Sequence, residues 1–392
     1  MCSSDLVWYE AQLEYPGYNF YGHHIAGIPF GVLGNNEFCA WGITMFENDD
    51  MDFYQETIHP DSAELVKHGA SWEKITHRTD TIKIKDKADV LFEVMATSHG
   101  PIINGVIEGI DSVDAPVALW WTALQKPATL IKSFYELNHA VSFEAARKAV
   151  SEISAPGLNI IYADTTGTIA WWAAASLPVR DERLNDLARF FHDGASGLDD
   201  HTIFYSFEKN PQAVNPPWGY IHTGNNQPDS VNGVIYPGYY YPRDRAGRIE
   251  QLLKEKNDWT VEEAAAMQLD HKSITAPETS ATIAAVIGAG QLADILRNWD
   301  GNHGLKDAGP AVYYNMLSQI IYGAMADEIG AATLKDLLGS SVMRNSFNLF
   351  LANDSTGWWD NINTTQRETR RDIFIHAAER TDRKSTRLNS SH

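Results

Sequence analysis

The sequence predicts an α+β fold in which helices cover sheets, and the change in pattern along the chain predicts it. Up to about residue 174, short apolar or alternating runs are broken by Gly, Pro, Asn and Asp; beyond Tyr241, apolar residues recur at helical spacing between capping signals. A hydrophobic content of 44% with 11% aromatics argues for a packed core, and 392 residues are enough for one large layered core or two domains.

In chain order, the strand-like runs are residues 18–28, 31–34, 38–44, 81–84, 91–95 and 117–122. Ser142 then precedes Phe143-Glu144-Ala145-Ala146-Arg147-Lys148-Ala149-Val150, a serine N-cap, a first-turn acid and apolar residues at helical spacing. Residues 159–163 and 168–174 flank Asp164-Thr165-Thr166-Gly167, a tight-turn sequence that makes them a hairpin. The Pro-, Asp- and Gly-rich stretch 179–232 reads as surface loops around a short strand at 219–223. Helices follow at 244–256, 260–269, 278–287, 291–299, 311–329 and 331–338, the second opening on the capping box Thr260-Val261-Glu262-Glu263. The expected division is a β-rich core over residues 7–245 and a mainly helical region over 246–382.

A formal charge of −20 argues against nucleic acid or an anionic membrane surface as partner, because both demand a basic face. No apolar run reaches membrane-spanning length; residues 281–290 are short and end at glycine. Of the two cysteines, Cys2 lies at the start and Cys39 in a strand-like run, which predicts a buried inert thiol and excludes a disulfide framework. No Gly-x-Ser-x-Gly elbow, phosphate-binding Walker loop or dinucleotide Gly-x-Gly-x-x-Gly is present, so those chemistries have no support.

Asp49-Asp50-Met51-Asp52 follows Glu47, and such a cluster is either a solvated acidic loop or a source of oxygen ligands for a hard cation. Along an extended segment, alternation puts Asp50 and Asp52 on one side. Asn225-Asn226 by itself is a routine loop dipeptide, since asparagine caps turns and tolerates left-handed backbone. Arg243, Arg245 and Arg248 read first as helix-surface charges. His23, His24 and His222 lack zinc-site spacing and are expected to be hydrogen-bonded structural residues.

The segments Trp41-Gly42-Ile43-Thr44-Met45-Phe46-Glu47-Asn48-Asp49-Asp50-Met51-Asp52 and Tyr220-Ile221-His222-Thr223-Gly224-Asn225-Asn226-Gln227-Pro228 together resemble the β-chain of the penicillin acylase family. Tyr15-Pro16-Gly17, Gly27-Ile28-Pro29, Thr97-Ser98-His99-Gly100-Pro101, Asn159-Ile160-Ile161-Tyr162-Ala163-Asp164 with Gly167, and Asn298-Trp299-Asp300-Gly301 extend the likeness over residues 7–300 and more weakly to 381. Asn35 departs from it, standing where the family usually has histidine.

The resemblance implies an N-terminal nucleophile hydrolase: a four-layer αββα sandwich, incomplete here, with an added helical region. It implies hydrolysis of a small-molecule N-acyl substrate, such as a penicillin-type β-lactam, an N-acyl-homoserine lactone or another acylated amine. Asn225 and the Met45 backbone N–H would hold the oxyanion, and Arg245 would sit behind the site and orient its polar groups. Asp49, Asp52 and the Met51 carbonyl would hold a structural Ca²⁺. The nucleophile would be a serine that becomes the first β-chain residue after self-cleavage, its free α-amine serving as base. That serine is expected upstream of Met1, making this chain a fragment, silent alone, whose partner is a missing α-chain, in the bacterial periplasm or secreted. Residues 1–6 and 383–392 resemble translated sequencing-adapter sequence and are left out of the fold expectation. The rival reading is a Trp-rich secreted glycosidase or carbohydrate-binding domain with Asp49 and Asp164 as its carboxylate pair.

Overall fold

The structure is a computed structural model that describes residues 7–107, 109–110, 113–180, 190–228 and 235–389. It forms two compact units, one ending at Tyr239 and the other beginning at Tyr240.

The first unit opens with β1 (Trp8–Tyr15), β2 (Tyr18–Ile25), β3 (Leu33–Asn36), β4 (Cys39–Met45) and β5 (Met51–Gln55). It continues through β6 (Ile58–His59), β7 (Ser62–His68), β8 (Ser71–Lys74), β9 (Thr76–Ile82), β10 (Val90–Ala96) and β11 (Val117–Trp121). Helices α1 (Thr122–Gln125), α2 (Leu130–Asn138) and α3 (Phe143–Ser151) precede β12 (Leu158–Asp164), β13 (Ile169–Ala174), β14 (His192–Asp193) and β15 (Gln212–Val214).

A seven-stranded antiparallel sheet runs in the order β1-β2-β3-β4-β12-β13-β15. Because side chains alternate across a strand, one face collects Phe20, Trp41, Ile160, Tyr162 and Trp172. Helices α2 and α3 lay Phe134, Leu137, Ala146, Ala149 and Val150 into the same core. The expected N-cap of α3 is in place, with Ala145 N–H donating to Ser142 Oγ at 3.1 Å. Helix α2 was not expected. Its Asn138 anchors it by accepting Gly31 N–H at 2.9 Å and donating to Gly31 C=O at 2.8 Å.

A second sheet places β5 between antiparallel β11 and parallel β14, around buried Tyr54, Ala118 and Trp120. The β12–β13 hairpin forms as expected, and Asp164 Oδ1 closes its turn by accepting from Thr166 and Thr168 N–H groups. The strand expected at 219–223 does not form. Pro216 and Pro217 remove two backbone donors just before it, Gly219 adopts φ 78°, and side chains anchor the segment instead of a ladder.

The second unit is helical: α4 (Asp244–Leu253), α5 (Val261–Gln268), α6 (Ala276–Ile287), α7 (Gln291–Asn298), α8 (Ala308–Gly339), α9 (Ser341–Ala352) and α10 (Arg370–Asn389). Ile283, Leu296, Met316, Ile320, Trp359 and Phe374 form its core. The two helices expected at 311–329 and 331–338 are the halves of α8, whose helical path breaks at Gly330 with φ 79°. The Thr260 capping box is complete: Thr260 Oγ1 accepts Glu263 N–H at 3.3 Å, and Glu263 Oε2 accepts Thr260 N–H at 2.9 Å. Thr260→Ala is expected to lower stability by about 1 kcal/mol in urea unfolding. Among the described residues no helix is long and apolar enough to cross a membrane.

Candidate active site

Strand β4 delivers Met45 at the end of its pairing with β12. Phe46 N–H donates to Gly157 C=O at 3.0 Å, which makes Met45 and Leu158 a non-hydrogen-bonded pair, so the Met45 N–H and C=O both turn away from β12. On that side β3 has already ended, its last pair with β4 being Gly34 and Trp41.

Asn225 meets this edge from 180 residues away. Its Nδ2 donates to the Met45 C=O at 2.8 Å. Since a strand residue's N–H and C=O point to the same side, the Asn225 amide lies at the edge where the Met45 N–H projects. Asn225 adopts φ 59°, a left-handed backbone that asparagine tolerates. The two residues come together as expected, but in this structure the amide is engaged by the carbonyl rather than sharing an acceptor with the Met45 N–H.

Buried Asn159 holds both segments. Its Nδ2 lies 3.0 Å from the Met45 carbonyl oxygen and 3.2 Å from both Thr44 Oγ1 and Thr223 Oγ1, while its Oδ1 accepts Trp171 Nε1–H at 2.9 Å. The Thr44 and Thr223 hydroxyls are themselves 3.1 Å apart, and Asn225 N–H donates to Thr223 Oγ1. Asn159→Ala leaves the Trp171 N–H without its acceptor and uncouples the two loops. It is expected to cost about 1–3 kcal/mol by urea denaturation.

Asp49 and Asp52 also converge, although not on each other alone. Asp52 is buried and takes Arg180 through both oxygens, at 3.2 and 2.8 Å, with His192 Nε2 at 3.0 Å and His201 Nε2 at 2.8 Å. Burial works to raise its pKa, but the hydrogen bonds from His192, His201 and Arg180 prevail and hold the carboxyl well below the usual range. Asp49 lies 3.1 Å from the same Arg180 Nη2, an ion pair without hydrogen-bond alignment. Burial therefore pushes it up to about 7 despite the guanidinium. Asp50 takes the other direction and accepts from Trp121 Nε1, so the pair that shares a side is Asp49 and Asp52, not Asp50 and Asp52.

These surroundings do not fit calcium. That ion takes about six to eight oxygen ligands at roughly 2.3–2.6 Å, whereas Asp52 is enclosed by nitrogen donors and both aspartates already face a guanidinium. The Met51 carbonyl turns away from β11, since Thr122 N–H bonds Asp50 C=O in the neighbouring pair. Nothing local in the sequence marked Arg180, His192 or His201; the carboxylate they share, Asp52, lies more than 120 residues away from each.

Arg245 lies in the second unit, in the first turn of α4, its guanidinium 5.0 Å from the Tyr241 ring centroid. Asp164 serves its own hairpin turn, and Asp49 is buried against Arg180, so the carboxylate pair of a glycosidase is not formed. Cys39 is buried, and burial pushes its thiol up to about 11, as expected of an inert residue. His24 is buried in β2 and stacks on Tyr9 with ring centroids 5.3 Å apart.

The family model described as Penicillin amidase matches residues 2–391. Acyl-homoserine lactone acylase QuiP of Pseudomonas aeruginosa is 26% identical over 95% of this chain and 47% of its own length. Penicillin G acylase of Escherichia coli is 26% identical over 77% of this chain and 37% of its own. The Penicillin acylase 2 proenzyme of a Pseudomonas species is 27% identical over 74% of this chain and 37% of its own. The chain thus spans about half the length, or less, of these relatives. Among solved structures, a thermostable penicillin G acylase from Alcaligenes faecalis superposes with a TM-score of 0.78 at 17% identity, covering 99% of this chain and 74% of that one. The mixed helix and sheet fold is that of penicillin G acylase.

Proposed function

The chain belongs to the penicillin amidase family, and from that premise we propose that it carries the oxyanion-binding part of an N-terminal serine hydrolase that cleaves linear N-acyl amides. The observation that supports this most is the Asn225 amide lying 2.8 Å from the Met45 carbonyl, on the edge to which the Met45 N–H points. When a substrate carbonyl enters, the amide exchanges the Met45 C=O for the substrate oxygen and joins the Met45 N–H on it. The Asn159, Thr44 and Thr223 bonds fix the two segments beforehand, which is where electrostatic stabilisation gains over water.

The nucleophile in this reading is a serine at the N-terminus of a processed chain, lying outside these 392 residues. Its Oγ attacks the amide carbon while its own α-amine accepts the proton; the amine product leaves with that proton, and water then releases the acyl group. The relative named a proenzyme supports a precursor cut into two chains, so a separate α-chain is the proposed partner. Relatives named for acyl-homoserine lactones and for penicillin G support acylated amines as the substrate class. A periplasmic or secreted location is the one proposed.

In place of calcium, we assign Arg180 as the cation that ties the Asp49–Asp52 segment following β4. Millimolar CaCl₂ is then expected to leave the melting temperature unchanged; a clear rise would reinstate a calcium site. For the activity itself, the isolated chain should not hydrolyse phenylacetyl amides or N-acyl-homoserine lactones, whereas a longer precursor that contains it should. Turnover by residues 1–392 alone would place the nucleophile elsewhere and overturn the mechanism.

A further inference from the structure

A second cluster in the first unit, independent of the amidase reading, brings together His68 at the end of β7, His99 in the loop after β10, and Asp200. His68 Nε2 lies 2.8 Å from Asp200 Oδ2, and His99 Nε2 lies 3.2 Å from Asp200 Oδ1. The other nitrogen of each ring is already committed: His68 Nδ1 is 2.7 Å from Glu73 Oε1, and His99 Nδ1 is 2.9 Å from Glu56 Oε1. Both outer partners are carboxylates, which only accept, so each Nδ1 carries the proton.

A neutral imidazole has one N–H. With that proton on Nδ1, both Nε2 atoms present lone pairs to the Asp200 carboxylate, and three sets of lone pairs face one another. Either each ring carries a second proton, or a cation sits among the three groups. The arrangement matches a metal centre in its outer contacts, where a ligating histidine donates its remaining N–H to a carboxylate that fixes tautomer and orientation. It also matches in size. Tetrahedral zinc with bonds of about 2.0–2.2 Å separates its ligand atoms by about 3.3–3.6 Å, and here the three residues each offer a ligand atom within 4.8 Å of the other two, the two rings reaching different oxygens of Asp200 at 2.8 and 3.2 Å.

We propose that His68 Nε2, His99 Nε2 and the Asp200 carboxylate form a site for a zinc-class divalent cation. Two nitrogen donors and one carboxylate favour zinc or cobalt over calcium and magnesium, which prefer all-oxygen shells. Glu73 and Glu56 are the orienting residues, and Glu56 is itself held by the Thr97 hydroxyl at 2.6 Å. His99 and Glu56 are buried, while His68 and Asp200 are each about a quarter exposed, so the cluster is open to solvent on the His68 and Asp200 side. The Asp52, His192 and His201 group also gathers three ligand atoms, but Arg180 lies 2.8 Å from Asp52 and would repel a cation.

The test is titration of the purified metal-free chain with ZnCl₂ by calorimetry, with CoCl₂ as a spectroscopic probe. One equivalent should bind with a micromolar or lower Kd, and cobalt should give the visible absorption of a tetrahedral complex. His68→Ala should weaken binding by about a hundredfold or more, and Glu73→Gln by about ten- to a hundredfold. Both residues are partly exposed, and circular dichroism checks that the variants fold. Absence of zinc binding by the unaltered chain would overturn the proposal and leave two doubly protonated rings as the account of this cluster. Undiminished binding in His68→Ala would overturn it as well, by placing the ion elsewhere.

Discussion

Arg180→Met is expected to destabilise the first unit by about 3–5 kcal/mol, the cost of removing one partner from a buried charge cluster. Methionine keeps the aliphatic stem but not the guanidinium head, so the loss is chiefly one of charge, with a small void where the head group lay. Asp52 would keep His192 and His201, but Asp49 would lose its ion pair: among the described residues neither of its oxygens has a hydrogen bond, and His192 acts on it only through its charge. The loss should grow with pH. Asp49 has its folded-state pKa raised to about 7, so its contribution is fully present below the unfolded carboxylate value and is lost as pH rises through 7. At pH 5 it is protonated with or without Arg180, and only the Asp52 interaction is lost. At pH 8 the arginine also offsets the Asp49 charge, and its removal exposes that cost. Urea unfolding of both proteins at the two pH values measures the difference. An equal, small effect at both would mean that Arg180 does not hold this segment.

Asn225→Ala, made in the complete processed enzyme, is expected to lower kcat by about 10²–10³ with a much smaller change in KM. The amide acts on charge that exists only in the transition state, so ground-state binding should hardly notice its loss. Asn159→Ala should act differently, through the positions of Met45 and Thr223, and lower stability along with rate. Comparing urea midpoints separates the two effects. If Asn225→Ala leaves kcat within a few-fold, the oxyanion is held by other groups.

Where pattern and packing agree, the sequence was legible. Strand β4, the β12–β13 hairpin, the Ser142 cap and the helices of the second unit up to α8 follow from alternation, turn chemistry, capping or helical period, whereas α9 and α10 lie beyond the helices read from the sequence. Strand β1 carried a readable signal, Tyr9, Ala11, Leu13 and Tyr15 alternating with Glu10, Gln12 and Glu14, yet it was not anticipated. Helix α2 lacks a side-chain N-cap and depends on the long-range Asn138 anchor, so little local marked it. The segment at 219–223 looked like a strand by composition, but its hydrogen bonds run through side chains.

The candidate site was legible only in part. Met45 and Asn225 were picked out by family resemblance, and no spacing rule joins residues 180 apart. Asp49 and Asp52 were recognised as a pair worth attention, but the cation they face was missed. Arg180 sits in a loop-rich stretch, and its burial is decided by Asp52, 128 residues away. The same holds for His68 and Asp200, separated by 132 residues, whose relation becomes visible only when β7 and the loop following β14 are brought side by side.

The most direct test of the central claim is a crystal structure of the processed enzyme carrying a covalent transition-state analogue, such as a boronic acid with an apolar acyl-like group. The account predicts an analogue oxygen about 2.7–3.1 Å from both the Asn225 Nδ2 and the Met45 backbone nitrogen, with the Asn225 bond to the Met45 carbonyl broken. An analogue oxygen held by other donors, with Asn225 still bonded to the Met45 carbonyl, would contradict it.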